Sequence, residues 1–482
     1  MSSTSAASQE SVLTQAAEAS RVREHAASRL DTRLIARAGG VFAVWLAVFV
    51  PYLAQRPLTW AGLASITVAA SLWSAAIRSA QSSIPAPLGT SLATAVGTFT
   101  GVIPLAAVNP WLPGLQLSPF ALLGMAVGVW ASAATWAWFG CQTSAGRRRV
   151  LFVGTDDVAA DILRQDGCAD SARFRLVGRI DDDQPAISGE VPCLGGLDAL
   201  AEVVEAQRPD IVVLSDERTY ANVVDRLLDV AGAGVRVVGL AGFFEHAFGR
   251  VPLAKLTPAW FMGILHLRQP LHARWSKRAF DLLAASAGLL LALPIMPVIA
   301  LLVRTTAGPI IYRQTRLGEG GRPFTIYKFR TMVADAEEEG HAQWCVEGDE
   351  RVTPVGRLLR RAHLDELPQL WNVLRGDMSI VGPRPERPEF VRMLEKEMPF
   401  WTRRLLIKPG VTGWAQVRSG YSADCASCAD KLSYDLWYIR HRSFAVDAAV
   451  CIQTAWLMVS SLFARSGAGQ EGLAGSERGA EF

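Results

Sequence analysis

From Ser79 to Gly146 the chain carries no charged side chain. A run of that length cannot be the surface of a soluble domain, and it has room for more than one membrane-crossing helix of about 20 residues. The apolar block begins at Ala38, and only Arg56 and Arg78 interrupt it before Arg147. Four spans fit, near 34–54, 58–78, 87–108 and 118–139, with Pro85, Pro87, Pro110 and Pro113 marking the connections. A buried helical domain would show polar outward faces, whereas these segments are apolar all round. Half of all residues are apolar, which is also high for a soluble protein. Arg21, Arg23, Arg29, Arg33 and Arg37 precede the block, Arg78 lies between its second and third spans, and Arg147, Arg148 and Arg149 follow it. Lys and Arg favour the cytoplasmic side, so both ends of the block are expected there.

Residues 1–32, rich in Ala, Ser and Glu, and the Gly- and Ala-rich 464–482 read as disordered tails. The net charge of +3 is too small to suggest a nucleic-acid partner. Seven cysteines lie without framework spacing. Cys425 and Cys428 form one CxxC with no second pair, so reduced thiols are expected.

Between 147 and 255 the pattern changes. RRRVLFVG, RLVGRIDDD, DIVVLS and VRVVGL read as buried strands, with helical patterns such as 197–206 and 220–231 between them. Alternation of that kind predicts a parallel, Rossmann-like α/β domain. Its first turn is GTDDVA rather than GxGxxG, and Asp156 and Asp157 would repel a pyrophosphate. A structural or regulatory domain is therefore expected, rather than a nicotinamide enzyme.

Leu282 to Val303 is a second uncharged stretch, broken near its middle by Pro294 and Pro297. Arg274, Lys277 and Arg278 precede it, and Arg304, Arg313 and Arg316 follow. If both flanks stay in the cytoplasm the segment enters the membrane and returns; an ordinary kinked span is the alternative.

Arg357 to Glu386 concentrates the chemistry. Arg357, Arg360 and Arg361 precede the adjacent carboxylates Asp365 and Glu366, and apolar residues recur at helical spacing as far as Leu374. The pattern predicts one amphipathic helix carrying the pair. Gly376-Asp377 ends it, and Pro383-Arg384-Pro385 stiffens the chain around one guanidinium. Acid beside fixed positive charge suits phosphate chemistry, although a DE pair on a helix is more often a solvated face. Lys328 and Arg330 alternate with Tyr327 and Phe329, as in a strand with one basic face.

Taken together, HLDELPQLWNVLRGDMSIVGPRPE, Lys277-Arg278 with Asp281, Gly308-Pro309 with YRQTR, TIYKFRTM and KPGVTGWAQV occur in one order over the second half of the chain. This set resembles the bacterial sugar transferases, membrane-bound polyprenyl-phosphate phosphoglycosyl transferases. The resemblance is to the long form, and it implies a membrane protein of the bacterial inner membrane. Such a protein joins an α-helical bundle to a Rossmann-like domain and a cytoplasmic, monotopic α/β catalytic domain, here 272–463, with a re-entrant helix at 279–303. It implies transfer of a sugar phosphate from a UDP-sugar to undecaprenyl phosphate, with release of UMP, in the initiation of exopolysaccharide, capsule or O-antigen synthesis. Asp365 is the implied nucleophile and Glu366 the ligand of Mg²⁺. Phosphate or substrate contacts are expected from Arg384, Lys328, Arg330, Arg313, Arg316, Lys277, Arg278 and Asp435, where Asp435 either orients a basic residue or is structural. Membrane lipid is an expected partner, and the four-helix block offers a surface for self-association. The rival readings are an inverting glycosyltransferase that releases UDP and a nucleotide-sensing membrane scaffold.

Overall fold

The computed structural model describes residues 40–50, 52–53, 59–83, 89–111, 118–142, 148–154, 174–181, 191–215, 235–253, 256, 260–261, 271–333, 336, 349–419 and 425–463. Both expected tails, the GTDDVA turn after Gly154 and the 220–231 helix lie outside the described residues. The chain divides into two compact units, Met1–Leu240 and Ala241–Phe482.

In the first unit, helices α1 (Gly40–Val50), α2 (Trp60–Ser83), α3 (Gly89–Val108) and α4 (Pro119–Gln142) occupy the four apolar segments. Among the described residues, Trp60–Ala80 and Leu92–Trp111 are long and apolar enough to cross a membrane. Val48, Ile66, Trp73, Leu105 and Val129 fill the space between the helices. The buried Trp73 indole donates to Thr98 O at 3.0 Å, which satisfies a polar group that an apolar interior cannot hydrate. A Cβ on Gly97 would lie 2.4 Å from Ile77 Cα, so glycine permits this close approach of α2 and α3. Large apolar side chains such as Trp60 and Phe120 point outward. The protein is membrane-associated.

The same unit contains β1 (Arg148–Val153), β2 (Phe174–Ile180), α5 (Leu200–Gln207), β3 (Ile211–Leu214) and β4 (Arg236–Gly239). The strands form one parallel sheet in the order β2-β1-β3-β4. Its central strands read VLFV and IVVL because strands covered on both faces need no polar alternation.

Helix α6 (Leu240–Phe248) begins at the junction of the two units and lies almost wholly in the second. Helices α7 (Leu271–Ala292) and α8 (Met296–Arg304) follow, bent by 62° across a short break that contains Pro294. Next come an antiparallel hairpin of β5 (Ile311–Leu317) and β6 (Pro323–Phe329), and then α9 (Pro354–Arg361) and α10 (Gln369–Arg375). Strand β7 (Ser379–Val381), helix α11 (Pro388–Glu397) and strand β8 (Gly410–Thr412) complete the middle of the unit, with β7 and β8 parallel. Helices α12 (Trp414–Ser419), α13 (Cys425–His441) and α14 (Phe444–Phe463) close it.

Three features position the site. Ile299, Val303, Phe329 and Leu359 form a core joining α8, β6 and α9. A Cβ on Gly288 of α7 would lie 3.1 Å from Leu370 of α10, so the bent pair packs directly against the helix after the carboxylates. A Cβ on Gly410 would lie 2.1 Å from Gly382 N, and one on Gly413 would lie 2.2 Å from Gly382 O. The glycines of KPGVTGW therefore let two backbones touch beside Arg384.

Candidate active site

The expected continuous helix through the carboxylate pair is not what forms. Helix α9 starts at the cap Thr353, whose hydroxyl accepts from Gly356 N at 2.9 Å, and it ends at Arg361. His363 then adopts φ 54°, in the left-handed region. Asp365 and Glu366 occupy a single 3-10 turn, Leu364–Glu366, and Pro368 precedes α10. The apolar spacing holds on both sides of the break, so period alone does not reveal it. Leu364 and Leu367 pack on the core of Ile299, Val303, Phe329 and Leu359, and that packing outweighs a straight helix. The turn buries both carboxylates, at 7% and 8% exposure, so they do not form a solvated face.

Glu366 Oε1 accepts from Lys328 Nζ at 2.8 Å and from Arg384 Nη2 at 2.9 Å. Burial works to raise its pKa, but Arg384 and Lys328 together hold it well below the usual carboxylate range. The Asp365 carboxylate accepts no hydrogen bond among the described residues. Burial raises its pKa, with Lys328, Arg360 and Arg384 acting the other way. Burial also lowers the pKa of Lys328, against the pull of Glu366. One carboxylate is thus pinned by two hydrogen bonds, and its neighbour feels the same cations through charge alone.

Asn372, buried in α10, holds this arrangement to the hairpin. Its side chain donates to Thr325 O at 2.7 Å and accepts from Tyr327 N at 3.2 Å, next to Lys328. Sequence reasoning missed Asn372, because an Asn within a helical pattern shows nothing of its partners.

The other expected phosphate ligands do not meet the pair. Lys277 sits between two buried aspartates, 3.1 Å from Asp281 Oδ1 and 2.8 Å from Asp447 Oδ2. Arg278 caps α10, donating to Val373 O at 2.7 Å and Leu374 O at 2.8 Å. The guanidinium of Arg330 is turned to the end of α8, with Nη2 donating to Val303 O and Thr306 O. Arg316 donates to Pro385 O at 3.2 Å. Arg313 lies over the Tyr327 ring at 5.9 Å. Asp435 is fully buried and pairs with Arg404 at 2.7 Å. Carbonyls at helix ends and carboxylates inside the fold compete for guanidinium groups as phosphate does, and sequence does not tell them apart.

For a divalent cation, no group of three or more His, Cys, Asp or Glu side chains occurs among the described residues. Mg²⁺ needs fewer, since one or two carboxylates with substrate phosphates and water complete its shell. Asp365 and Glu366 supply two adjacent oxygen donors, and both hydrogen bonds to Glu366 fall on Oε1. The residues present fit such an ion.

The bacterial sugar transferase model matches residues 272–461. The chain is 42% identical to an Aeromonas hydrophila UDP-N-acetylgalactosamine-undecaprenyl-phosphate N-acetylgalactosaminephosphotransferase, over 49% of this chain and 60% of that protein. It is 34% identical to a Xanthomonas campestris UDP-glucose:undecaprenyl-phosphate glucose-1-phosphate transferase, over 55% of this chain and 56% of that one. It is also 38% identical to an uncharacterized sugar transferase of Bacillus subtilis, covering 88% of that relative with 38% of its own length. The chain thus spans a little over half of its two longer relatives, and nearly all of the short one. With these matches and the buried carboxylate turn, the chain belongs to the bacterial sugar transferase family.

Proposed function

We propose that this protein transfers a hexose 1-phosphate from a UDP-sugar to undecaprenyl phosphate at the bacterial inner membrane. The reaction initiates a cell-surface polysaccharide. The observation that carries this reading is the division of labour in the turn. The Asp365 carboxylate accepts no hydrogen bond among the described residues, whereas Glu366 is held by Lys328 and Arg384.

In the first step an Asp365 oxygen attacks the phosphorus next to the sugar. The bond from that phosphorus to the bridging oxygen breaks, and UMP leaves with the oxygen and its electron pair. In the second step an oxygen of the lipid phosphate attacks the same phosphorus, and the Asp365 carboxylate is released. A carboxylate needs no base for this, and its acyl phosphate is reactive enough to pass the group on. Arg384 and Lys328 bind and orient phosphate oxygens as they exchange Glu366 for the donor. Two acids and two bases leave the quartet Asp365, Glu366, Lys328 and Arg384 without net charge. A donor diphosphate therefore gains no net Coulomb attraction from the quartet alone. Mg²⁺, held by Glu366 with Asp365 alongside, would supply the missing positive charge.

The bent pair α7 and α8 supports a re-entrant wedge. Leu290, Leu291, Leu293, Val298 and Leu301 are exposed around the bend, as lipid-facing residues must be. A wedge that enters and returns keeps Asp365 on the cytoplasmic side, where nucleotide sugars are. The four N-terminal helices act as four spans, and the parallel sheet as a cytoplasmic Rossmann-like domain.

Purified protein, UDP-hexose, undecaprenyl phosphate and Mg²⁺ should yield UMP. With donor alone, sugar phosphate should remain covalently on Asp365, and Asp365→Asn should lose turnover by roughly four orders of magnitude or more. Release of UDP, or wild-type turnover by the Asn variant, would refute the reading.

A further inference from the structure

The segment Pro383–Glu386 that presents Arg384 is gripped from behind by Arg404, which lies outside every motif noted in the sequence. Arg404 lies in a short 3-10 stretch, Trp401–Leu406, and is 5% exposed. Its Nε donates to Asp435 Oδ2 at 2.7 Å. Its Nη2 donates to the main-chain carbonyl of Arg384 at 3.3 Å, and its Nη1 lies 3.8 Å from Glu386 Oε1. The guanidinium is stacked 4.2 Å from the Trp401 ring centre. Asp435 is itself 1% exposed on α13. From the other side, Arg316 donates to Pro385 O, and Leu317 N donates to Glu386 O at 3.0 Å.

We propose that Arg404, fixed by Asp435 and Trp401, is a positioning residue that sets where the Arg384 guanidinium stands. The inference rests on the phosphotransfer reading above, in which Arg384 binds donor phosphate. One peptide carbonyl separates the Arg404 contact from Arg384, and Arg384 in turn touches Glu366. The prolines on either side restrict Arg384 but do not fix the height of its carbonyl above the turn. Arg404 does, because a planar fork bound at two edges and stacked on one face has no freedom left. A catalytic group displaced by about 1 Å can lose on the order of 100-fold in rate.

A buried ion pair can also serve stability alone, and the two roles separate by substitution. Replacing a buried pair by apolar residues of similar volume leaves stability nearly unchanged or raised. The test pairs Arg404→Met with Asp435→Leu in the full-length protein. Thermal unfolding is followed by tryptophan fluorescence, and the first half-reaction by labelling of Asp365 from UDP-hexose carrying labelled sugar phosphate. A melting temperature near wild type with labelling slowed about 10- to 100-fold supports positioning. Wild-type labelling in a folded double variant overturns it. If the double variant does not fold, Arg404→Lys decides. It keeps the charge but cannot span Asp435 and the Arg384 carbonyl together, so kcat/KM for the donor should fall at least about tenfold. Unchanged kcat/KM overturns the proposal. Arg250→Ala, which removes only the exposed ion pair to Asp430 on the same helix, is the control with unchanged rate. A wild-type protein that neither releases UMP nor becomes labelled would instead sink the phosphotransfer reading itself.

Discussion

Arg384 Nη2 lies 2.9 Å from Glu366 Oε1, on the same oxygen that Lys328 holds at 2.8 Å. In the proposed reaction the guanidinium is thus stored against an internal anion until a phosphate replaces it. Arg384→Ala removes the clamp and should lower kcat/KM for the donor by about 100- to 1,000-fold, read as UMP release. Arg384→Lys restores the charge without the planar fork, so it should recover only part of that loss. Equal activity in the Lys variant would show that charge alone is used.

The site should work in a narrower pH window than its free side chains suggest. On the proposed mechanism Asp365 must be ionised to attack, and burial raises its pKa, so the acid limb moves to higher pH. On the same mechanism Lys328 must be protonated to hold phosphate, and burial lowers its pKa, so the alkaline limb moves to lower pH. A profile of kcat/KM against pH should be a bell squeezed from both sides. In Lys328→Arg the alkaline limb should shift out of the working range, because a guanidinium does not deprotonate there.

His363 sets the direction of the turn. Its φ of 54° costs an ordinary L-residue about 1–2 kcal/mol, and a β-branched side chain more. His363→Gly should fold and retain UMP release, since glycine adopts this conformation without strain. His363→Val should melt lower and lose activity. A Val variant indistinguishable from the Gly variant would mean that the turn is set elsewhere.

The contact between Gly382 and Gly410 leaves no room for a methyl group. Gly410→Ala must part β7 from β8 and move the Pro383–Glu386 segment. The expected cost is about 1–3 kcal/mol of stability, measured by denaturant unfolding, together with reduced activity. Gly128→Ala, where an added Cβ meets nothing within 4 Å, should cost nothing comparable.

Much of the architecture is legible from period and charge. VLFV and IVVL announce buried parallel strands, and the uncharged Ser79–Gly146 run announces apolar helices. The helix Phe444–Phe463 is equally plain as an apolar run. The break at His363 is not, because apolar spacing runs through it and only the core behind Leu364 and Leu367 decides it. The individual arginines are not legible either. Arg278, Arg330 and Arg384 all sit in motif-like strings, yet two cap helix ends and one meets Glu366. Arg404, which stands behind Arg384, lies in a plain basic–apolar stretch. Asp435 hints at an orienting role, but its partner appears only when α13 is brought against Trp401–Leu406.

Because Leu370 rests on Gly288, the floor beneath Asp365 is the bent helix pair itself. If that pair is the proposed re-entrant wedge, any lipid composition that lets it ride higher or sink deeper carries Asp365 up or down with it. On the proposed mechanism, the depth at which the polyprenyl chain offers its head group and the height of the attacking oxygen would then be fixed by a single mechanical part.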